Sequence, residues 1–340
     1  FQNEFQLFTG TNDHGRLRFG LHIYGSERAM VAFDHISNLF TPSTIDACYE
    51  SDGTGVVGGI KNELGEWNTS GHRDRIVRVD DEALAIFARL YDEPSTPPRR
   101  ARLPALHAGT LRNVLAKLAA WPRRLADLGE DYFSTEMWHE TMQQKDGTIV
   151  RRSSGDNRFP SGPEEWVLSG PHFFVANPFN KTPRQICTAN SHYDVLDLET
   201  LPDDYLPRTN YWPMAERAEY LRRTPRVSWV EEGESQARPV TEFFRYVHRR
   251  RIGPSSERTL SCAIVPPGVA HVHTVLSLTF VEPRALVDTT ATMSSCVADF
   301  FVKSTGLADL YDSTLSRIPL VRSDELAARA LVLNCLTTHY

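Results

Sequence analysis

The chain has no run of about 18 uninterrupted apolar residues, which excludes a membrane-spanning helix. Paired cysteines are missing too. Cys48, Cys187, Cys262, Cys296 and Cys335 lie 139, 75, 34 and 39 residues apart, so no C-x-x-C unit can hold zinc or a redox disulfide. The five are expected as reduced, buried thiols of a cytoplasmic protein. No initiator Met, basic leader or apolar signal segment stands before Phe1-Gln2-Asn3, and the chain is expected to be an internal piece of a longer protein. Lysine is scarce: of 37 basic residues only Lys61, Lys117, Lys145, Lys181 and Lys303 are Lys, leaving 32 Arg. What remains is ordinary for a globular chain, with 41% hydrophobic and 24% charged residues, and 340 residues favour about two domains.

Several catalytic signatures begin and fail. Gly53-Thr54-Gly55-Val56-Val57-Gly58 satisfies G-x-G-x-x-G, but a pyrophosphate cradle needs a helix after it, and Asn62-Glu63-Leu64-Gly65 reads as a turn. Trp138-His139-Glu140 opens like a zinc-protease helix, yet Gln143 stands where the second His ligand must be. His271 and His273 share a strand face without a third ligand nearby, so they are expected to be structural. A PD-(D/E)-x-K nuclease needs an acid two residues before its Lys, where this chain has Gly59, Leu115, Gln143, Phe179 and Phe301. No G-x-S-x-G elbow occurs. Asn177-Pro178-Phe179-Asn180 is similar to the N-P-P-Y loop of amino-methyltransferases but lacks the second Pro, and reads as a structural or DNA-contacting loop.

Charge is segregated along the chain. Residues 1–97 carry 8 basic and 15 acidic groups, 98–126 carry 7 and none, 127–207 carry 6 and 14, and 208–260 carry 11 and 7, within a net charge of -6. Two basic blocks rich in Arg suit phosphate and guanine edges, because the guanidinium fork pairs bidentately; a GC-rich genome also enriches Arg.

The pattern of elements is α+β. Phe5–Phe8 and Leu17–Tyr24 around a polar turn read as a β-hairpin, and Ala29–Phe33 and Arg75–Val79 as strands. Asp80-Asp81 caps a helix over Glu82–Tyr91 that places Leu84, Phe87 and Leu90 on one face. Pro94-Ser95-Thr96-Pro97-Pro98 reads as a linker, followed by an amphipathic helix through Leu111, Leu115 and Leu118, broken near Pro122. Strands are expected in Thr241–Arg251, Arg258–Val265 and His271–Phe280, and helices in Met214–Arg223, Ser294–Lys303 and Ser323–Thr338. In Phe243-Phe244-Arg245-Tyr246-Val247-His248-Arg249-Arg250-Arg251, apolar and cationic residues alternate at first, so one strand face is expected to pack and the other to meet phosphate.

Longer phrases carry a resemblance. Phe1-Gln2-Asn3 through Leu7-Phe8 with Arg18-Phe19-Gly20-Leu21, Gly59-Ile60-Lys61 with Trp67-Asn68 and His72-Arg73-Asp74-Arg75-Ile76-Val77, Leu168-Ser169-Gly170-Pro171-His172-Phe173, Tyr205-Leu206-Pro207-Arg208-Thr209-Asn210-Tyr211, Glu257-Arg258-Thr259-Leu260 with Ala263-Ile264-Val265-Pro266-Pro267-Gly268, and Leu331–Thr337 resemble, in order, the C-terminal portion of PglX-like and type IIG-like adenine-N6 DNA methyltransferases of bacterial restriction-modification and phage-defence systems. The resemblance implies that residues 1–93 close a Rossmann-like catalytic sheet with a tail hairpin. Residues 94–131 become a Pro-rich linker and basic helical connector, and 132–340 a mostly antiparallel target-recognition domain with C-terminal helices. It implies that S-adenosylmethionine and the catalytic loop belong to an upstream domain in cis, that no catalytic, cofactor or metal residue lies here, and that double-stranded DNA is the partner, with other defence subunits possible companions. On this reading Arg99, Arg100, Arg102, Arg112, Lys117, Arg123 and Arg124 contact phosphates, while Lys181, Arg184, Arg208, Asn210, Arg245, Arg249, Arg251 and Arg258 form the groove-facing surface. A stand-alone specificity subunit and a protein-interaction scaffold are the alternative readings.

Overall fold

The computed structural model describes residues 1–8, 18–26, 29–152, 157–174, 178–253 and 256–340. The chain is mixed α and β and divides into two units, Phe1–Pro122 with Ser304–Gly306, and Arg123–Lys303 with Leu307–Tyr340. The division falls at Pro122 and not at Pro94–Pro98. Among the described residues no helix is long and apolar enough to cross a membrane.

The first unit is built on a short antiparallel ladder and three helices. Strand β1 (Ala32–His35) pairs with β2 (Val77–Asp80), Ala32 opposite Asp80 and His35 opposite Val77. Helix α1 (Ser43–Glu50) lies between them in sequence. The loop entering β2 is fixed by Arg75, a buried guanidinium that donates to the carbonyls of Ser70 at 3.0 Å, Ser37 at 3.2 Å and Asn38 at 3.0 Å. Helix α2 (Asp81–Tyr91) starts where expected: the Asp80 carboxylate accepts from the Ala83 amide at 2.8 Å, and Leu84, Phe87 and Leu90 are all buried. That hydrogen bond, with the Arg112 guanidinium at 3.1 Å, holds the Asp80 carboxyl below its usual range. Asp80→Ala is therefore expected to destabilise this unit by about 1 kcal/mol; an unchanged thermal midpoint would show that the cap contributes nothing. Helix α3 (Leu111–Ala120) buries Leu115 and Ala119 and ends before Pro122.

Two expectations for this unit are corrected. The Pro94–Pro98 segment is not a free linker. It leads into a 3-10 turn at Pro98–Arg100 that packs on α2, and Arg102 clamps Asp92 at the end of that helix through its backbone amide and its Nε at 2.7 Å. The hairpin is not present among the described residues either. Asn3–Phe5 forms a 3-10 turn, and only an isolated bridge joins Gln2 to Arg18. The polar turn at Thr11–Gly15 lies outside the described residues.

The second unit contains strand β3 (Tyr132–Thr135), helix α4 (Glu140–Lys145), β4 (Ile149–Arg151), β5 (Val167–Leu168), β6 (Lys181–Pro183), β7 (Tyr193–Val195), β8 (Tyr211–Pro213), α5 (Arg217–Arg223), β9 (Arg245–Arg249), β10 (Cys262–Val265), β11 (Ala270–His271), β12 (Val275–Phe280), α6 (Pro283–Met293), α7 (Cys296–Ser304), α8 (Asp312–Leu315) and α9 (Asp324–Asn334). One antiparallel sheet runs β10-β9-β12-β3; a second runs β11-β5-β8-β4, with only β11 and β5 parallel; β6 and β7 form a separate pair. The antiparallel character agrees with the strand-and-loop reading of the sequence. The helix α6 was missed. Its Thr-rich face, Thr289, Thr290 and Thr292, is buried, so its polar sequence disguised a core helix packed on β9, β10 and β12.

Strand β9, between β10 and β12, is covered on both faces, so the expected split into a packed face and a phosphate-facing one is not found over residues 245–248. Residues 245 to 248 are all buried. Val247 joins a core with Trp166, Leu168, Phe179, Val265 and Val275, and α6 packs against the same sheet. Phe179, in the loop similar to N-P-P-Y, is thus a core residue, 5.3 Å from the Trp166 ring. A second core gathers Trp138, Ile149, Val167, Tyr211, Tyr220 and Val272, with the Trp138 indole donating to the Tyr220 hydroxyl at 2.9 Å.

Two histidines, His248 on β9 and His271 on β11, are fully buried and hydrogen-bonded. The His271 Nε2 lies 2.8 Å from the Ser277 hydroxyl, while His248 Nε2 donates to the Leu310 carbonyl at 3.2 Å. Burial depresses their pKa values to about 3 and about 4, with Arg245 adding to the effect at His271. Among the cysteines Cys48, Cys187 and Cys262 are buried, but Cys296 and Cys335 are exposed, which corrects the expectation of five buried thiols.

A candidate nucleic-acid interface

Most of the cations chosen from sequence are already occupied. In the first unit Arg99 meets Asp81 at 3.2 Å, Arg102 meets Asp92 at 2.7 Å, and Arg112 meets Asp80 at 3.1 Å and Glu82 at 2.6 Å. Acidic residues that precede the basic block in sequence fold onto it and pair with these three of its seven cations. Arg124, in the second unit, donates to the Arg317 carbonyl at 2.5 Å. Arg100 and Lys117 are exposed and Arg123 is half-buried, and none of the three has a carboxylate partner among the described residues.

In the second unit two of the proposed groove residues are buried. Arg245 is fully buried: its guanidinium donates to the Val269 carbonyl, lies 3.3 Å from Met137 Sδ, and is pushed down to about 10 by burial. Asn210 is buried and spent, its carbonyl accepting from Asn157 at 2.7 Å and its amide donating to the Tyr193 hydroxyl at 2.7 Å. Arg258 donates to the Ser294 carbonyl at 2.8 Å and sits 3.8 Å from Asp299, and Arg184 meets Asp194 at 2.8 Å. Arg208 lies over Phe159 at 4.4 Å and Lys181 over Phe174 at 4.6 Å, both rings exposed.

Arg249 and Arg251 have a different environment. Strand alternation sorts the run Arg249-Arg250-Arg251 into two directions. Arg250 turns one way and is consumed by Glu136 at 2.7 Å and Asp309 at 3.7 Å. Arg249 and Arg251 turn the other way and line a polar recess of about 350 Å³. Arg151, the last residue of β4, joins them there, opposite Tyr211 across the ladder and with its guanidinium 5.6 Å from that ring. All three arginines are exposed, and among the described residues none has a carboxylate within ion-pairing distance. Burial, and then the like charge of Arg251, lower the Arg249 pKa. The recess has one acid, Glu140 at the start of α4; burial and that carboxylate push the Tyr211 hydroxyl up.

The wall is completed by loop residues held by hydrogen bonds. Ser169, Gly170 and Pro171 follow β5, with the Gly170 amide donating to Thr274 at 3.0 Å. Behind them a buried chain of polar groups runs from Asn157 through Asn210 and Tyr193 to Ser169 at 3.4 Å and His172 at 3.2 Å, ending at the Arg208 carbonyl 2.9 Å away. His172 Nε2 carries the proton, because a carbonyl can only accept. Asn210, Tyr193 and Ser169 thus line the recess as a hydrogen-bonded wall. Arg151 was absent from the sequence-derived set; the signal that could have found it is the strand-terminal Arg151-Arg152 pair, the counterpart of Arg249–Arg251. Among the described residues no group of His, Cys, Asp or Glu could hold a metal. The Gly53–Gly58 run leads into a turn and not a helix, so it does not fit a dinucleotide or methyl donor. No protein-family model matches the chain, and no curated protein matches it.

Proposed function

We propose that the chain binds double-stranded DNA and reads a short sequence for an adenine-N6 methylating catalytic domain, with the second unit as the reading module. The observation that supports this most is the convergence of Arg151, Arg249 and Arg251 on one recess without carboxylate partners, since arginines left uncompensated in a folded chain are ready to take phosphate oxygens. The resemblance of the ordered phrases supplies the rest: S-adenosylmethionine and the flipped adenine belong to a catalytic domain in cis, residues 1–93 close its Rossmann-like sheet, and the setting is a cytoplasmic defence system. Within this reading Arg249 and Arg251 hold phosphate oxygens. Selection of random duplexes on the purified chain is expected to converge on one short motif. A pool that stays random after selection, while still being retained, would reduce the role to non-specific DNA holding.

A further inference from the structure

The shape of the recess and its charge together point further than phosphate contact. An element that reads duplex bases must protrude, because it has to enter a groove about 12 Å wide and about 8.5 Å deep. Arg151, Arg249 and Arg251 do the reverse and surround a concavity. At about 350 Å³ it is roomier than one phosphate needs, and it falls within the range of roughly 300 to 1,000 Å³ that encloses organic ligands. Its lining is divided chemically: three guanidinium groups supply a dianion site, while Glu140, Asn190 and Thr274 offer hydrogen-bonding groups suited to a sugar or a base edge. Pro171 and Ala189 add apolar surface.

We infer that this recess is a pocket for a single nucleotide, the phosphate held by Arg151, Arg249 and Arg251 and the nucleoside set into the cavity beside Glu140 and Asn190. The inference deepens the DNA-binding reading and rests on it for one of two sources of the same ligand chemistry: a nucleotide turned out of a duplex, or a free nucleoside monophosphate. Extrusion costs a few kcal/mol of stacking and pairing in an intact duplex and less at a mismatch, so a pocket that receives the nucleotide favours mismatched DNA. Glu140 accepts hydrogen bonds but, ionised, cannot donate one. The pocket therefore receives a base by a donor edge, an exocyclic amine or a ring N–H.

Titration calorimetry of the full chain with AMP, CMP, TMP and inorganic phosphate tests the free source, and anisotropy with a paired and a centrally mismatched duplex tests the other. The inference expects AMP, CMP and TMP to bind at least about tenfold tighter than inorganic phosphate, or the mismatched duplex to bind at least about tenfold tighter than the paired one. In either case Arg249→Gln and Arg251→Gln should each remove the preference. Arg184→Gln, whose partner is Asp194 and which does not line the recess, is expected to keep it. Thermal midpoints confirm that each variant folds, and Arg151→Gln provides a third, independent recess variant. Paired and mismatched duplexes bound equally, with no nucleotide binding, would overturn the pocket while leaving DNA recognition intact. Absence of binding to every probe would overturn both.

Discussion

Acidification from about pH 7 to about pH 5 is expected to cost the second unit about 4 kcal/mol of stability through two histidines alone. His248 and His271 are fully buried on β9 and β11, each with Nε2 engaged by a carbonyl or hydroxyl, and burial pushes their pKa values down to about 4 and about 3. An unfolded histidine titrates near 6.5, so below that pH the unfolded chain takes up protons that the folded chain refuses, and stability falls as pH falls. Each group contributes about 2 kcal/mol by pH 5, and the loss continues until the folded-state pKa values are reached. The Arg245 guanidinium adds to the effect at His271, because a second buried positive charge beside it is unfavourable. Urea midpoints at the two pH values measure this. Equal midpoints, or a pH dependence unchanged in a folded variant carrying His248→Gln and His271→Gln, would show that these imidazoles do not govern the acid limb.

Reversing Arg249 and Arg251 together to Glu is expected to weaken DNA binding by about two orders of magnitude, or about 3 kcal/mol, because two guanidinium groups that hold phosphate become two repulsive carboxylates. Neutralising Arg99 or Arg184, which already share their charge with Asp81 and Asp194, is expected to change affinity by no more than about threefold. The contrast matters more than either number. Were all arginines equivalent contributors to a diffuse positive field, the four positions would respond alike, and charge counted along the sequence would predict binding as well as the recess does.

What was legible in the sequence was what local patterning controls. Asp80 announces α2, and its Leu84, Phe87 and Leu90 stripe is buried as read. Ser323 caps α9, accepting from the Leu326 amide at 3.4 Å, where a terminal helix was expected. The failures share a cause: they depended on neighbours distant in sequence. Arg245 reads as a surface cation until the Val269 carbonyl and Met137, distant in sequence, close over its guanidinium. Arg102 and Arg112 read as a basic face until α2 presents Asp92, Asp80 and Glu82 to them. Asn210 reads as a base reader until Asn157 and Tyr193 claim both ends of its amide. The Arg249–Arg251 run could be half-read, since alternation separates Arg250 from its neighbours, but only the fold shows that Glu136 and Asp309 wait on one side and Arg151 on the other.

The salt dependence of DNA binding, followed by fluorescence anisotropy of the full chain and of the Arg249→Glu, Arg251→Glu variant, tests the role of the recess most directly. Each phosphate neutralised contributes about -0.9 to the slope of log affinity against log salt, so a recess whose three arginines grip one phosphate contributes about -1 to the slope of the native chain. Loss of two of the three is expected to make the slope shallower by about 1. A variant that binds more weakly or equally but keeps the native slope would contradict the account, because the phosphates would then be held elsewhere on the molecule.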